Sequence, residues 1–399
     1  MNVGATELAT AGSGPILVVG AGAAGIACAL VCAQAGRETL LVERAAQIGG
    51  TVANALIHTI GGLFDDAGEP LNPGLPTTLT ERLLSADPHT RKRRMGRVQV
   101  LNCDPGVYRR VVIDWVAAQP TLECLTDTEI EAIDCQVGQV QRVRLRNRSR
   151  PLELHPAAVV DTTGDALVVR QLDPTLVEPG EALAGLVLVL QGVAPDALQF
   201  PRGVAVARAI RSAAAAGELP EACATLWPDT GIAPDQAYLK FNLQGDAFDP
   251  RHLRQVADTL LAWLHGLPGL AEARIKHIGA LGVRDGGRIR SEYRLTEADL
   301  LAARRFPDAV CQGCWPIEHW HPRQGIQMHY LPSGTRYDIP LRALKVRGMT
   351  NLYAAGKCLG AEPRAQASAR VAGTCWGMGA GLGQVLVGSV SRQAGLSAQ

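Results

Sequence analysis

A glycine-rich segment near the N-terminus constrains the fold of this chain more than any other feature. The aliphatic run Ile16–Val19 predicts a buried strand, and it is followed by three glycines in the G-x-G-x-x-G spacing. Gly20 allows a tight turn, Gly22 lets the backbone approach a pyrophosphate, and Gly25 lets the next helix pack on the sheet. The segment therefore predicts a strand, a turn and a helix that bind a dinucleotide.

The residues that follow complete this unit. Small and aliphatic residues over Ala23–Ala35 predict the helix, Gly36 is placed to end it, and Thr39–Val42 predicts a second strand. Glu43 ends that strand 23 residues after Gly20, where a carboxylate can bind ribose hydroxyls. Because every part occurs in order, a dinucleotide site is favoured over a simple glycine-rich turn.

Length and composition limit the classes of protein to which the chain can belong. With 399 residues, 47% hydrophobic and 19% charged, it has enough apolar side chains for two domains. A net charge of +1 gives no broad field for nucleic acid or an acidic membrane, and no apolar run approaches the roughly 18 residues of a spanning helix. The ten cysteines form no disulfide framework, and the first residues do not resemble a signal peptide. We therefore expect a cytoplasmic protein with a small-molecule substrate.

Three later segments favour FAD over NAD as the dinucleotide. Gly49–Thr51 follows the ribose acid closely, Ala158–Ala166 predicts a strand that ends in a Thr-Gly-Asp turn, and Asn351–Gly360 predicts another strand and glycine turn. A separate nicotinamide domain would need its own strand–glycine–helix unit, which the sequence lacks. The predicted fold is α/β: a discontinuous Rossmann-like FAD-binding domain with a β-insertion, residues 1–170 and 346–399, and an α+β substrate domain, residues 171–345.

Other helices and strands are predicted from hydrophobic spacing and turn residues. They are helices at Asp104–Gln119, Gly203–Ala216 and Pro250–Leu264, and strands at Leu122–Leu125, Glu131–Cys135, Val140–Leu145 and Leu183–Leu190.

The motifs GAGAAG, LLVER, GGT, DTTGD and AAGKCLG, with AQASARVAGTC near the C-terminus, together resemble FAD-dependent oxidoreductases of the broad glutathione-reductase-like class. The chain resembles more closely the FAD-dependent oxidoreductases called xanthan-lyase-like, which are distantly related to fumarate reductase flavoproteins. The segments GVRDGGRIRSEYRLTEADLLAARRF and YDIPLRAL extend the resemblance over most of the chain. It implies an enzyme that binds FAD, with non-covalent binding favoured over covalent, and it does not specify the substrate.

The resemblance also implies which residues hold FAD. The expected cofactor-binding residues are Gly20, Gly22, Ala23, Ala24, Gly25, Glu43, Arg44, Gly50, Thr51, Thr163, Gly164, Asp165, Gly356, Lys357, Thr374, Cys375 and Trp376. Backbone N–H groups around Thr374–Trp376 would face the flavin pyrimidine.

Ionisable residues in three other segments are candidates for chemistry. His58 follows the glycine pair and could transfer a proton or attach the flavin covalently, or it could simply be buried. Glu318 and His319 lie between tryptophans, which suits either a substrate pocket or a surface turn. A metal site there is disfavoured because a supporting ligand cluster is absent from the sequence.

Arginines are candidates for binding an anionic group. Arg284, Arg288 or Arg290 could neutralise a substrate carboxylate or the reduced flavin, or could form structural salt bridges. Arg364 follows Pro363 where relatives commonly carry a His–Glu pair, so it too could bind substrate. The basic run Arg91–Arg97 predicts a solvated loop or, less favoured, a docking patch for an acidic protein or peptide.

These features predict an FAD-dependent oxidoreductase that oxidises or reduces a C–N or C–O bond of a small polar substrate. Two alternatives stay open at this point. One is a flavin-dependent monooxygenase or modifying enzyme that acts on a peptide or protein. The other is a non-catalytic flavin-binding assembly subunit. The pair Cys311 and Cys314 could be a redox pair, although chance spacing is favoured.

Overall fold

The computed structural model describes residues 14–147, 151–181, 184–243, 249–321 and 325–396. The helices in chain order are α1 (Ala23–Gln34), α2 (Gly50–Asn54), α3 (Leu75–Ala86), α4 (Pro105–Ala117), α5 (Leu167–Leu172), α6 (Arg202–Ala215), α7 (Pro250–Leu264), α8 (Glu297–Leu301), α9 (Pro363–Ala369) and α10 (Ala372–Leu396). The strands in chain order are β1 (Ile16–Val19), β2 (Thr39–Val42), β3 (Thr59–Gly61), β4 (Arg91–Met95), β5 (Val98–Asn102), β6 (Leu122–Leu125), β7 (Thr128–Gln136), β8 (Gln139–Asn147), β9 (Pro151–Leu154), β10 (Ala158–Asp161), β11 (Val177–Glu178), β12 (Ala184–Gln191), β13 (Trp227–Thr230), β14 (Gln236–Leu243), β15 (Arg274–Ile278), β16 (Gly282–Val283), β17 (Arg288–Ile289), β18 (Ala309–Gly313), β19 (Ile317–His321), β20 (Gly325–His329), β21 (Tyr337–Pro340) and β22 (Leu352–Ala354).

A five-stranded parallel sheet forms the centre of the nucleotide-binding part, in the order β22-β10-β1-β2-β6. Its strands β1, β2 and β10 are buried along their whole length, which explains their continuous aliphatic runs. Val19 pairs with Val42 on one side and with Asp161 on the other, so the carboxyl ends of three strands meet at one edge. This sheet, with strands from both ends of the chain, confirms the α/β, Rossmann-like prediction.

Helices α1 and α10 pack closely on each other beside this sheet, and their small residues permit that approach. A Cβ atom at Gly379 would lie 2.0 Å from the carbonyl oxygen of Ala24, and one at Gly383 would lie 3.0 Å from that of Cys28. Any larger side chain at Gly379 would therefore separate the two helices.

A second, antiparallel sheet lies in the order β13-β14-β12-β15, with β16 also paired to β12. One face packs on α6 and α7 in a core of its own. The opposite face carries Val187, Val189 and Tyr238, which pack against Leu56 and Ile57 from the nucleotide-binding part. The predicted strand Leu183–Leu190 is β12, and Leu183 itself lies outside the described residues. This sheet therefore brings a second group of side chains towards the glycine-rich segments.

The smaller sheets show where the sequence prediction was incomplete. The predicted hairpin is β7 and β8, and Val137 and Gly138 form its turn with φ angles of 47° and 71°. The third strand of this insertion, β9, was not predicted. Leu295, Tyr337 and Ile339 belong to the same core as α1 and α10. The predicted domain boundaries stay predictions, and this packing joins part of residues 289–345 to the nucleotide-binding core.

Candidate functional site

A cleft of about 400 Å³ opens at the carboxyl edge of the parallel sheet. The glycine segments identified in the sequence line it together. Fourteen of the predicted cofactor residues are in its wall: Gly20, Gly22, Ala23, Ala24, Glu43, Arg44, Gly50, Thr51, Thr163, Gly164, Asp165, Gly356, Lys357 and Cys375. Ala280–Val283, beside the second sheet, and Arg370 line the same cleft and were not predicted.

The first glycine loop is shaped by contacts to the strand that lies beside it. Gly20 has a φ of +106°, and a Cβ atom there would lie 2.5 Å from the carbonyl oxygen of Thr162. The Thr162 hydroxyl donates to the carbonyl oxygens of Val19 and Gly20, at 2.9 and 2.7 Å. Gly25 brings α1 onto the loop, since its Cβ would lie 1.9 Å from the carbonyl oxygen of Gly20. Each glycine has the geometric role that the motif predicts.

Gly22 differs from its neighbours because it faces open space. It is the N-cap of α1, and a Cβ atom there would meet nothing closer than Gly50 Cα, at 3.9 Å. Gly50 packs tightly instead, since its own Cβ would lie 2.7 Å from Gly22 Cα. The free N–H groups of the α1 N-terminus are therefore accessible from the cleft, which is the arrangement that a phosphate requires.

The predicted ribose acid lies in the cleft wall and already has backbone partners. The Glu43 carboxylate accepts hydrogen bonds from the N–H groups of Ala21 and Ala45, at 2.8 and 2.9 Å. These bonds hold the carboxylate at the end of β2 and leave lone pairs for a hydroxyl group.

A buried carboxylate that the sequence reasoning did not identify organises the next turn. Asp161 ends β10 and accepts hydrogen bonds from the N–H and hydroxyl groups of Thr163 and from the N–H groups of Val168 and Val169. Burial raises the pKa of Asp161, and these hydrogen bonds oppose the shift. Its position directly before a Thr-Thr-Gly turn was the available signal. Asp161 thus positions Thr163 and Gly164, which line the cleft.

The cleft residues fit FAD. One edge of the sheet carries the N–H donors for a pyrophosphate, the Glu43 carboxylate for a ribose, and Lys357. The Lys357 ammonium lies 3.7 Å from the Asp165 carboxylate. Asp165 Oδ1 is buried without a hydrogen-bond partner among the described residues. Gly22, with its open Cβ direction, provides the close backbone approach that a bound dinucleotide needs.

Three predicted cofactor residues do not line this cleft. Gly25 packs inside the loop. The side chain of Thr374 is fully buried, and Trp376 stacks on Trp115 and donates to the Tyr108 hydroxyl at 3.1 Å. Because Thr374 and Trp376 face the interior, only their backbone could serve the cofactor.

His58 is placed in the interior rather than in the wall of the cleft. Its ring is fully buried and stacks on Tyr238, with centroids 3.7 Å apart. Its Nε2 atom lies 3.4 Å from Asp229, which is also paired with Arg93 and Lys240 at 3.1 and 3.3 Å. This is the buried arrangement that the sequence left open as an alternative to proton transfer and to flavin attachment.

The environment of His58 lowers its pKa from 6.5 to about 4, first through burial and then through the Lys240 ammonium, while Asp229 opposes the shift. In the unfolded chain His58 takes up a proton near its ordinary pKa of 6.5, whereas in the folded chain it stays neutral down to about pH 4. The contribution of neutral His58 to folding stability is therefore fully present above pH 6.5. We expect roughly 3 kcal/mol to be lost as the pH falls to about 4.

Urea unfolding across this pH range measures that loss. A His58→Phe variant keeps a ring against Tyr238 and cannot titrate. Between pH 6.5 and pH 4 its free energy of unfolding should therefore fall by roughly 3 kcal/mol less than that of the wild type. Equal pH dependence in the two proteins would contradict the assignment.

The two candidates on β19 point in different directions. Glu318 accepts hydrogen bonds from the indole N–H groups of Trp315 and Trp320, at 2.9 and 2.6 Å, and lies 3.9 Å from Arg370. His319 is half-buried and pairs in register with Gln327. Because successive side chains of a strand face opposite ways, His319 points away from Glu318. Arg370 links Glu318 to the wall of the cleft.

The two other predicted catalytic arginines have carboxylate partners outside the cleft wall. Arg288 is buried, pairs with Asp285 and lies 3.9 Å from Glu178. Arg364 is exposed, and its guanidinium bonds Glu297 at 2.6 Å and His329 at 3.1 Å. Arg288 therefore forms structural salt bridges, which was one of the alternatives left open by the sequence. The position of Arg364 gives no support to its predicted role as a substrate ligand.

The basic run forms an edge strand, β4, and is not the loop that was expected. Arg93 turns inward to Asp229, while Arg91, Lys92 and Arg94 are exposed. A second cavity of about 340 Å³ lies beside Arg94 and Arg97. An acidic partner at this surface stays a prediction.

The cysteine pair and the metal prediction concern other parts of the chain. Burial raises the pKa of the Cys314 thiol to about 12 and that of Cys311 well above its usual range, which disfavours the reactive thiolate. Among the described residues, no group of three or more metal-ligating side chains comes together. None of the helices in the described ranges has the length and apolar character needed to cross a membrane.

Comparison with known proteins identifies the family. The chain matches the family model described as FAD dependent oxidoreductase over residues 15–176 and 191–397. It therefore belongs to this family, and FAD is its cofactor. No protein of curated function matches the chain by sequence.

Solved structures show a similar fold at low sequence identity. The chain is similar to the flavin-dependent brominase Bmp2, with a TM-score of 0.50 and 11% identity over 95% of this chain and 79% of that one. It also matches p-nitrophenol 4-monooxygenase PnpA from Pseudomonas putida DLL-E4, with a TM-score of 0.48 and 11% identity over 95% and 80% of the two chains. A geranylgeranyl bacteriochlorophyll reductase-like protein from Thermoplasma acidophilum matches with a TM-score of 0.47 and 11% identity, over 95% of this chain and 79% of that one. At this identity the likeness concerns the fold alone.

Proposed function

We propose that this FAD-dependent oxidoreductase oxidises or reduces a C–N or C–O bond of a small polar substrate, held between the flavin and the second sheet. One observation carries the proposal: the cleft that contains the FAD motifs is also lined by Ala280–Val283 and Arg370. FAD supplies the electron-transfer chemistry when it is bound. The chain supplies phosphate donors at Gly22 and α1, a ribose acid at Glu43, and the opposite wall of the cleft.

Proton transfer by His58 is not part of this proposal, because its ring lies in the interior with Tyr238 and Asp229. The residues that line the cleft act by binding and orientation, which can account for a large part of an enzyme's rate. Lys357 and Arg370 place positive charges in a cleft wall that also carries Glu43, Glu129 and Asp165, and this mixed polar lining suits a polar ligand.

Anaerobic mixing of the purified yellow protein with amines, amino acids and hydroxy acids tests the proposal. We expect at least one class to bleach the flavin absorbance, while free FAD under the same conditions stays oxidised. Bleaching only by NADPH would favour the monooxygenase alternative. The assembly subunit would be favoured if no donor changed the spectrum of a protein that retains FAD.

A further inference from the structure

Two arginines and one carboxylate meet next to the cleft, and their charges do not balance. Arg370 follows α9, lines the cleft, donates to the carbonyl oxygen of Glu318 at 3.1 Å and lies 3.9 Å from its carboxylate. Arg284 directly follows Val283, which also lines the cleft. Glu318 is the carboxylate that acts on both guanidiniums, and Asp285, which also acts on Arg370, is already paired with Arg288. One positive charge of the Arg284 and Arg370 pair is therefore left without a carboxylate of its own.

Arg284 is held by groups that carry no charge. Its guanidinium donates to Asn242 Oδ1 at 2.9 Å and lies 4.1 Å from the centre of the Trp320 ring. Within the described ranges, no carboxylate oxygen lies within 4 Å of it. Arg288, four residues later, differs because it forms ion pairs with Asp285 and Glu178. The charge of Arg284 is therefore fixed in position by Trp320 and Asn242, and no carboxylate of the described residues forms a direct ion pair with it.

Both charges are poorly solvated. Burial lowers the pKa of Arg284 to about 9, and the nearby Arg370 contributes to this shift. Burial also lowers the pKa of Arg370. Arginine keeps its charge in proteins, and a charge that is removed from water without a partner is costly. An anion that enters from the cleft would remove this cost.

Glu318, the carboxylate that the two arginines share, cannot supply the missing charge. Glu318 is already bonded to two indole N–H groups, from Trp315 and Trp320, and among the described residues it is the only carboxylate near both arginines. Its place on β19 is thus fixed between the tryptophans. FAD phosphates already have their own donors at Gly22 and the start of α1.

We propose that Arg284 and Arg370 together bind the carboxylate group of the substrate, with Glu318 holding Arg370 in place. This rests on the proposed function, since it names the chemical class of the substrate in that same cleft. A planar guanidinium fork matches the two oxygens of a carboxylate, and neutral amides of the same shape offer no charge to it.

Spectral titration of the oxidised holoenzyme tests this without turnover. Acetate, succinate and benzoate are added, with acetamide, succinamide and benzamide as matched neutral ligands. We expect a carboxylate, and not its amide, to perturb the flavin absorbance with saturation. Arg284→Gln should weaken that binding roughly 30-fold or more, as expected for truncating one member of a desolvated charge pair. Arg254→Gln, on the exposed face of α7, should leave it unchanged.

A second variant should change the carboxylate affinity in the opposite direction. Glu318→Gln removes the carboxylate that acts on both arginines and can still accept from an indole N–H group, so carboxylates should bind several-fold more tightly. Equal perturbation by acids and amides, or unchanged affinity in both variants, would overturn the proposal. So would a lowered flavin midpoint potential in Arg284→Gln with unchanged carboxylate affinity, because the arginine would then serve the reduced flavin. Carboxylate binding by a protein that no donor reduces would contradict only the proposed function.

Discussion

Replacing Gly22 with valine should strongly weaken FAD binding and leave the fold intact. The backbone of Gly22 has φ of −86° and ψ of −170°, which is extended and open to a β-branched residue. Its Cβ direction is free of protein atoms to 3.9 Å, so the new side chain would occupy the cleft. At the upper end of the cost of overpacking, about 3 kcal/mol, we expect FAD to bind roughly 100-fold more weakly.

Isothermal titration of the apoprotein with FAD measures this effect, and thermal unfolding of the apoprotein reports the fold. Gly388→Val is the matched control, since Gly388 lies exposed on α10 with no atom within 4 Å of its Cβ direction. Its affinity for FAD should equal that of the wild type. Wild-type affinity in Gly22→Val would mean that the cofactor does not pass this loop.

Replacing Asp229 with alanine should cost about 3–5 kcal/mol of folding stability, the loss that follows when one member of a buried charge cluster is removed. Asp229 on β13 is the common partner of His58, Arg93 and Lys240. Burial raises its pKa, but the charges of Lys240, His58 and Arg93 hold the net pKa of Asp229 far below its usual range. Without the carboxylate, two positive charges would remain close together and partly removed from water.

Chemical denaturation at neutral pH measures this loss. Asp258→Ala is the control because Asp258 forms an exposed pair with Arg254 one helical turn away, and such pairs contribute about 0.3–0.5 kcal/mol. A change below about 1 kcal/mol in Asp229→Ala would show that the cluster is solvated and does little to hold β4 to the second sheet.

The sequence predicted the nucleotide-binding unit well because its determinants are local. The bounds of β1 and β2 agree with the structure, and α1 ends one residue before the predicted position. Strand burial, helix propensity and the positive φ of Gly20 are properties of neighbouring residues. The signals at the start of α4 are local too, because the Asp104 side chain accepts hydrogen bonds from the N–H groups of Gly106 and Val107 and Pro105 opens the helix.

The short strands near the C-terminus were harder to predict. β18 and β21 are separated by more than twenty residues, and their pairing depends on contacts that no local pattern specifies. The basic segment Arg91–Met95 reads as a solvated loop in isolation, but β5 pairs with it and Asp229 draws Arg93 inward. Tertiary partners overrode the local signal in this segment.

The sequence alone determined the cofactor class, because glycine spacing, strand ends and the acid at Glu43 are features of short segments that act together. The tertiary structure decided which charged residues come together beside the cleft, and of these Arg370 lines its wall. Arg284, Glu318 and Arg370 come from distant segments, and only the packing of β16, β19 and α9 brings them together. The same packing buried His58 against Tyr238. A side chain's surroundings, and therefore its charge balance and its access to a ligand, are set by long-range contacts that residue spacing does not encode.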